Sequence, residues 1–347
     1  MKNTDSIMPL LQIRLAKFRI QLTAQTELSA TELPPAFRSR LGYLLKGRFC
    51  PYGNFASRSC AGCDREAFCL YVKLFAPTLR AVGTKCKGAG RVHQSPPRPF
   101  TLDILPATGP DRTFVLELTL FGEQLISFYR PMLESLYHAA VFLPTGKKEV
   151  ALEPGAWHAV VPKQTNGVWR VETSEYGAFP ASGPGHSLED WIEVLPPVEN
   201  NAEFYFRTPV QLSRLAGKPG FPVLIQSVIA RLRDLKRIYC ASDNDMGHFS
   251  KQFWAKAGEI RLLSDLGPEK FEWYSHHRQK QIHLGGLTGS MIFKGDLMPF
   301  LPLLAAAFFT GMGRKTVYGL GRFGTHAWDQ TLAFDEKSGT GRRGNMP

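Results

Sequence analysis

Apolar and polar side chains alternate along residues 11–23 (LQIRLAKFRIQLT), close to the start of the sequence. A period of two predicts a half-buried β-strand. Residues 36–49 (AFRSRLGYLLKGRF) instead carry apolar side chains at helical spacing, which predicts an amphipathic helix with a basic opposite face. Residues 113–120 predict another strand and residues 126–140 another helix. This half of the chain is therefore expected to alternate strands and helices, with a long insertion.

The second half shows the same alternation. Residues 203–212 predict a strand, and residues 221–240 (FPVLIQSVIARLRDLKRIYC) predict a long helix with one apolar stripe. A short strand at residues 289–293, a helix at 297–308 and a final strand at 316–323 follow. This order predicts an α+β fold built from two tandem ferredoxin-like domains, with a cysteine-rich insertion in the first.

The predicted domain boundary is marked by composition. Residues 195–201 (LPPVENN) combine prolines and asparagines between two patterned regions, which is typical of a linker. We therefore place the N-terminal domain at residues 1–198, with its insertion at about 50–100, and the C-terminal domain at 199–334. The basic tail at residues 335–347 is expected to be disordered.

The charge of the chain narrows the class of partner. Its 347 residues contain 42 Lys and Arg against 30 Asp and Glu, a net charge of +12. Residues 36–100 alone carry twelve basic residues and two acidic ones, which favours a polyanionic partner over a merely solvated basic surface. No apolar run approaches the ~20 residues that span a bilayer, and basic residues come too early for a secretory signal. We expect a cytoplasmic protein with no membrane partner.

Residues 311–323 (GMGRKTVYGLGRF) concentrate glycines and cations in one loop. The spacing excludes a Walker A loop, since Arg314 separates Gly313 from Lys315, and it excludes a dinucleotide fingerprint, which follows a strand and opens a helix. A plain helix-to-strand turn is the alternative. Because the loop carries three cations and no acidic residue, we expect it to bind phosphates. Its predicted RNA contacts are Gly311, Gly313, Arg314, Lys315, Gly319, Gly321 and Arg322.

With this loop, three further stretches resemble the CRISPR-associated RAMP endoribonucleases, which cut precursor CRISPR RNA. A Phe-x-Thr-Pro element is matched by Phe206-Arg207-Thr208-Pro209, and a helical Arg-x-x-x-Leu pattern by Arg231 and Leu235. A Tyr-Ser-x-Arg-Gln element followed by Gly-Gly-x-x-Gly is matched with one inserted residue. It comprises Tyr274, Ser275, Arg278, Gln279, Gly285, Gly286 and Gly289. The resemblance covers about residues 203–323.

The resemblance implies two RAMP-type ferredoxin-like domains, CRISPR repeat RNA or crRNA as partner, and cleavage without a catalytic metal. Family members use the 2′-hydroxyl of the RNA as nucleophile and leave a 2′,3′-cyclic phosphate. Other Cas effector subunits are possible further partners. Beyond the loop, the expected RNA contacts are the basic side chains of the predicted helices and of the Tyr-Ser element. They are Arg38, Arg40, Arg231, Arg233, Arg237, Arg278 and Lys280.

The sequence departs from the family in its histidines. Many members carry a catalytic histidine near the first helix, but no histidine precedes His93 here. Proton transfer to and from the reacting oxygens requires His, Tyr or Lys side chains. The candidates are His276, His277, Tyr43 and Lys46. Either one of these acts in cleavage, or the chain is a non-catalytic RAMP subunit that carries guide RNA in an effector complex.

Four cysteines form a second group with C-x9-C-x2-C-x5-C spacing: Cys50, Cys60, Cys63 and Cys69. Disulfides are not expected in a cytoplasmic chain. Four thiolates within twenty residues, including a C-x2-C pair, suit a structural tetrahedral zinc site. An iron–sulfur cluster and unligated buried thiols are the alternatives.

Overall fold

We describe the chain from a computed structural model. The structure describes residues 7–26, 28–77, 96–106, 112–145, 148–165, 168–173, 185–212, 219–240, 246–275 and 280–332. The predicted tail at residues 335–347 and the pair His276 and His277, with Arg278, lie outside these ranges.

The N-terminal unit carries the elements of a ferredoxin-like domain around one main sheet, with additions at both ends and a separate two-stranded sheet. These elements are α1 (Met8–Leu11), β1 (Arg14–Ala24), α2 (Leu33–Phe49), α3 (Leu70–Phe75), β2 (Phe100–Pro106), β3 (Thr113–Phe121), α4 (Glu123–Ile126), α5 (Tyr129–Val141), β4 (Leu143–Thr145), β5 (Lys148–Val150), β6 (Leu152–Thr165), β7 (Val168–Thr173), β8 (His186–Ser187) and α6 (Leu188–Glu193). The strand order is β2-β3-β1-β6-β7, with β8 paired to β1. Taking β1, α2, β2, β3, α5 and β6 gives the βαββαβ succession of a ferredoxin-like domain.

The C-terminal unit repeats this succession around a four-stranded main sheet and adds a separate two-stranded one. Its elements are β9 (Glu203–Val210), α7 (Phe221–Tyr239), α8 (Lys251–Glu259), β10 (Arg261–Glu269), β11 (Glu272–Ser275), β12 (Lys280–His283), β13 (Gly286–Lys294), α9 (Leu301–Thr310), η1 (Thr316–Tyr318), β14 (Phe323–Thr325), α10 (His326–Asp329) and η2 (Gln330–Leu332). The order β10-β13-β9-β14 is the counterpart of β2-β3-β1-β6, and every neighbouring pair is antiparallel. The prediction of two tandem ferredoxin-like α+β units is therefore confirmed.

The two units pack against each other through charged as well as apolar side chains. The buried apolar residues of both units belong to one continuous cluster. Strand β1 was predicted to be half-buried, yet both its faces are buried, because its polar face lies against the C-terminal unit. Arg19 on that face is fully buried and donates to the carbonyl of Leu332 at 3.2 Å.

Most predicted elements appear in the structure, but the predicted final strand is wrong. Residues 316–318 form the 3₁₀ turn η1 and the strand covers only Phe323–Thr325, because Gly319 and Gly321 adopt left-handed backbone conformations that break an extended path. Helix α2 also begins earlier than expected, at Leu33. Its prolines occupy the first turn, where their missing N–H groups cost nothing. Among the described helices, none is both long and apolar enough to cross a membrane.

Candidate nucleic-acid interface

The glycine loop of residues 311–322 is fastened to the end of β9 by the Phe-x-Thr-Pro element. The hydroxyl of Thr208 donates to the carbonyl of Gly319 at 2.7 Å and accepts from the N–H of Arg322 at 3.0 Å. The N–H of Gly321 donates to the carbonyl of Pro209, and that of Arg314 donates to the carbonyl of Gln211, both at 2.9 Å. Two motifs far apart in sequence thus form one rigid structure.

Close backbone packing explains the glycines of the loop. A Cβ atom on Gly321 would lie 1.9 Å from the carbonyl oxygen of Met312, and one on Gly313 would lie 2.5 Å from that of Gln211. Both residues also have positive φ, at 71° and 76°. Larger residues are therefore excluded at both positions. Several loop N–H groups donate to carbonyls inside the protein, so they are not available to an external ligand.

The loop also packs on the first turns of α2. Gly319 approaches Pro34 so closely that a Cβ atom would lie 2.8 Å from the proline Cβ. The guanidinium of Arg38 lies over the ring of Tyr318, 4.4 Å from its centroid, and 5.5 Å from that of Phe75. This contact places Arg38, which was predicted to bind RNA, beside Tyr318 of the glycine loop.

The cations Arg314 and Lys315 extend this surface toward β12. Arg314 is exposed, while Lys315 is half-buried with a left-handed φ of 60°, a conformation uncommon outside glycine. The ammonium of Lys315 donates to the carbonyl of His283, an exposed residue at the end of β12. Burial, and then the positive charge of Arg314, lower the pKa of Lys315. We call the residues Arg38, Arg314, Lys315, Tyr318 and His283 the glycine-loop surface.

Two predicted RNA contacts are corrected by their burial. Arg322 is 2% exposed and lies 3.1 Å from a carboxylate oxygen of Asp103 in the N-terminal unit. Arg231 is 8% exposed and donates to the carbonyl of Thr310 at 2.8 Å, at the end of α9. Neither guanidinium is accessible to a phosphate, since each is enclosed by the packing of the two units.

The other cations that were predicted to bind RNA differ in their exposure and in their contacts. Arg233 on α7 donates to the carbonyls of Met246 and Gly247, at 3.0 and 2.8 Å, so its guanidinium is engaged in holding a loop. Arg237 is exposed on the same helix, and Lys280 is exposed at the start of β12. Arg40 lies 5.5 Å from the ring centroid of Tyr43 on α2.

Of the four candidates for proton transfer, the structure describes Tyr43 and Lys46, and His276 and His277 lie outside the described residues. Tyr43 is 51% exposed and packs on Phe55, with ring centroids 5.4 Å apart. Lys46 is 6% exposed and donates to the carbonyl of Arg58 at 2.7 Å, beneath the cysteine-rich segment. Because the Lys46 side chain is buried, the prediction that it reaches RNA is corrected. The sequence analysis did not name two residues of the glycine-loop surface, His283 and Tyr318. Two features of the sequence could have pointed to them: His283 lies just before the Gly-Gly element, and Tyr318 lies inside the glycine loop.

The four predicted metal ligands line one cavity at the end of α2. Its volume is about 240 Å³, and Lys46 lies in its wall with Cys50, Cys60, Cys63 and Cys69. Within the described part of the chain, no three Cys, His, Asp or Glu side chains are arranged closely enough to hold a metal ion. The thiols therefore surround the cavity without converging on one point.

The chain is similar to known proteins over two regions. Residues 204–323 match the family model of the CRISPR-associated endoribonuclease Cas6, and residues 11–176 match a second model described as an N-terminal domain. A solved Cas6 (TTHB231) product complex aligns with 90% of this chain and 99% of its own, at 19% identity and a TM-score of 0.47. No curated protein shows significant similarity. The resemblance to the RAMP endoribonucleases is confirmed over residues 204–323, which match the Cas6 endoribonuclease model.

Proposed function

We propose that this chain binds CRISPR repeat RNA along the glycine-loop surface and cleaves it without a catalytic metal, by attack of the RNA 2′-hydroxyl. The observation that carries this proposal is the joining of the Thr-Pro element, the glycine loop and the first turn of α2 into one cationic surface. The Cas6 match to residues 204–323 supports RNA as the substrate.

The chemistry needs a base at the 2′-hydroxyl, an acid at the leaving 5′-oxygen and cations for the developing phosphorane charge. Arg314 and Lys315 supply adjacent cations on a loop that is hydrogen-bonded to the end of β9. Tyr318, whose ring lies against Arg38, and His283, whose backbone carbonyl accepts from Lys315, are further proton-transfer candidates on this surface. His276, His277 and Tyr43 remain candidates, with Arg278 and Lys280 as further phosphate contacts.

The direct experiment is incubation of the full chain with the repeat RNA of its own locus in excess EDTA, followed by mapping of both termini. We expect one cut that leaves a 2′,3′-cyclic phosphate and a 5′-hydroxyl. Cleavage that stops in EDTA and returns with Mg²⁺ contradicts the proposed mechanism. Tight binding without any cut favours the alternative, a non-catalytic RAMP subunit that carries guide RNA alongside other Cas subunits.

Single alanine variants then identify the acid and base. Replacement of the true base or acid should slow single-turnover cleavage by roughly 10²- to 10⁴-fold with RNA affinity nearly unchanged. The set comprises His283, Tyr318, Tyr43, His276 and His277. His138→Ala, which removes an exposed histidine on α5, is the matched control and should cut at the wild-type rate.

A further inference from the structure

The cysteine-rich segment of residues 50–69 encloses a cavity that the cleavage proposal does not use. We infer that this cavity is a zinc site with four thiolate ligands, and that the metal holds the segment against the end of α2. The observation behind this inference is that all four cysteines of the segment line the same space of about 240 Å³. Two of its other lining side chains are Lys46 and Arg58.

The backbone allows the thiols to close around an ion. Cys50 directly follows α2, and Cys69 directly precedes α3, so helices fix both ends of the segment. The N–H of Cys63 donates to the carbonyl of Cys60 at 3.3 Å, which presents that pair from one turn. Residues 51–69 contain turns but neither helix nor strand. The thiols can therefore move to the Zn–S distance of about 2.3 Å without disrupting a helix.

The charges around the cavity fit a zinc–thiolate centre. Zn²⁺ with four thiolates carries two negative charges, and Lys46, Arg58 and Arg65 all line the cavity. Lys46 is 6% exposed and forms no ion pair with any described residue, although it donates to the carbonyl of Arg58. A buried ammonium without a counter-charge is costly. A dianionic metal centre supplies that counter-charge.

No Asp or Glu is among the described residues that line the cavity, which leaves the ligand set to the thiols. Asp64 accepts hydrogen bonds from the hydroxyl of Tyr52 at 2.6 Å and from the thiol of Cys63 at 3.4 Å. Zinc displaces the protons of its thiol ligands, so its binding should release protons and weaken as the pH falls.

The first test is the metal content of the full-length protein after dialysis against metal-free buffer. We expect about one zinc per chain, as a four-thiolate site requires. The double variant Cys60→Ser, Cys63→Ser should lose it, and Cys240→Ser, at the end of α7, should retain it. Because the double variant risks misfolding, cobalt substitution of the wild-type protein provides an independent reading: a tetrahedral thiolate site gives intense visible absorption.

The second test addresses the charge argument. Lys46→Met keeps the length of the side chain and removes its charge, and we expect zinc affinity to fall by about 10- to 100-fold in competition with a chromophoric chelator, the usual range for an outer partner of a metal site. Unchanged affinity removes Lys46 from the site. The inference is overturned if the native protein contains no zinc, takes up no added zinc, and has all four thiols of the segment free to react. A brown protein that contains iron also overturns it.

Discussion

At the scale of single residues, the interface between the units depends on Glu117 of β3. Its carboxylate pairs with Lys17 and, at 2.9 Å, with Arg19, and all three side chains are buried. Burial alone raises the pKa of Glu117, but the two cations outweigh that effect and lower the pKa to about 2. The carboxylate is therefore ionised in the folded protein, and it compensates two cations that face the C-terminal unit.

We expect Glu117→Gln to destabilise the protein by about 3–5 kcal/mol, because it leaves two buried cations without a carboxylate. Urea unfolding followed by tryptophan fluorescence measures this change. Glu123→Gln is the control: it breaks an exposed ion pair with Arg14 at 3.4 Å and should cost no more than about 1 kcal/mol. Equal effects of the two substitutions would mean that the buried pair has no special role.

Residue identity alone did not separate cations that face solvent from cations that are buried against other parts of the protein. Arg314 and Arg322 both flank glycines in one loop, yet the first is exposed and the second is buried against Asp103. Lys46 likewise belongs to a basic helix face by sequence but lies under the cysteine-rich segment. Each difference arises from contacts with residues distant in the chain, which a local pattern does not contain.

At the scale of elements, the glycine loop and β9 act as one unit through Thr208. Thr208→Val keeps the shape of the side chain and removes both hydrogen bonds of its hydroxyl, to Gly319 and from Arg322. We expect a loss of about 1–3 kcal/mol in stability and weaker repeat-RNA binding, since the loop loses its anchor. Thr208→Ser retains the hydroxyl and should restore binding. If Thr208→Val binds RNA like the wild type, the anchor does not shape the RNA surface.

The charge of the loop permits a matched comparison. Removing two phosphate contacts with Arg314→Gln and Lys315→Gln should reduce the dependence of log K on log salt by about 1.4 and weaken binding across sequences. Arg261→Gln with Lys294→Gln removes the same charge from a paired, exposed site at the other end of β13. Filter binding at several salt concentrations measures the salt dependence of RNA binding for each double variant. Equal slopes for the two double variants would show that net charge, and not the loop, drives binding.

Elements with strong periodicity were predictable, and short or irregular ones were not. The pattern of residues 221–240 gave α7 almost to its ends, and that of residues 113–120 gave β3. Strand β10 was missed because its sequence, RLLSDLGPE, contains glycine and proline and lacks a regular apolar alternation. It is held by pairing with β13 along its whole length, a long-range effect.

At the scale of the whole molecule, the two ferredoxin-like units meet where the first long helix of the N-terminal unit, α2, contacts the glycine loop of the C-terminal unit. Gly319 contacts Pro34, and Arg207 and Arg322 both approach Asp103, at 3.7 and 3.1 Å. The glycine-loop surface therefore exists only when both units are folded and joined. The domain boundary near residue 198 stays a prediction.

The proposed function is tested most directly by single-turnover cleavage, in EDTA, of two repeat RNAs that differ by one atom. One carries the ribose 2′-hydroxyl at the mapped cut, and the other carries a 2′-deoxy sugar there. We predict equal affinity for both, a cyclic-phosphate product from the first and no cleavage of the second, since the nucleophile is missing. Cleavage of the deoxy substrate at the same position, or no cleavage of either RNA, would contradict the account.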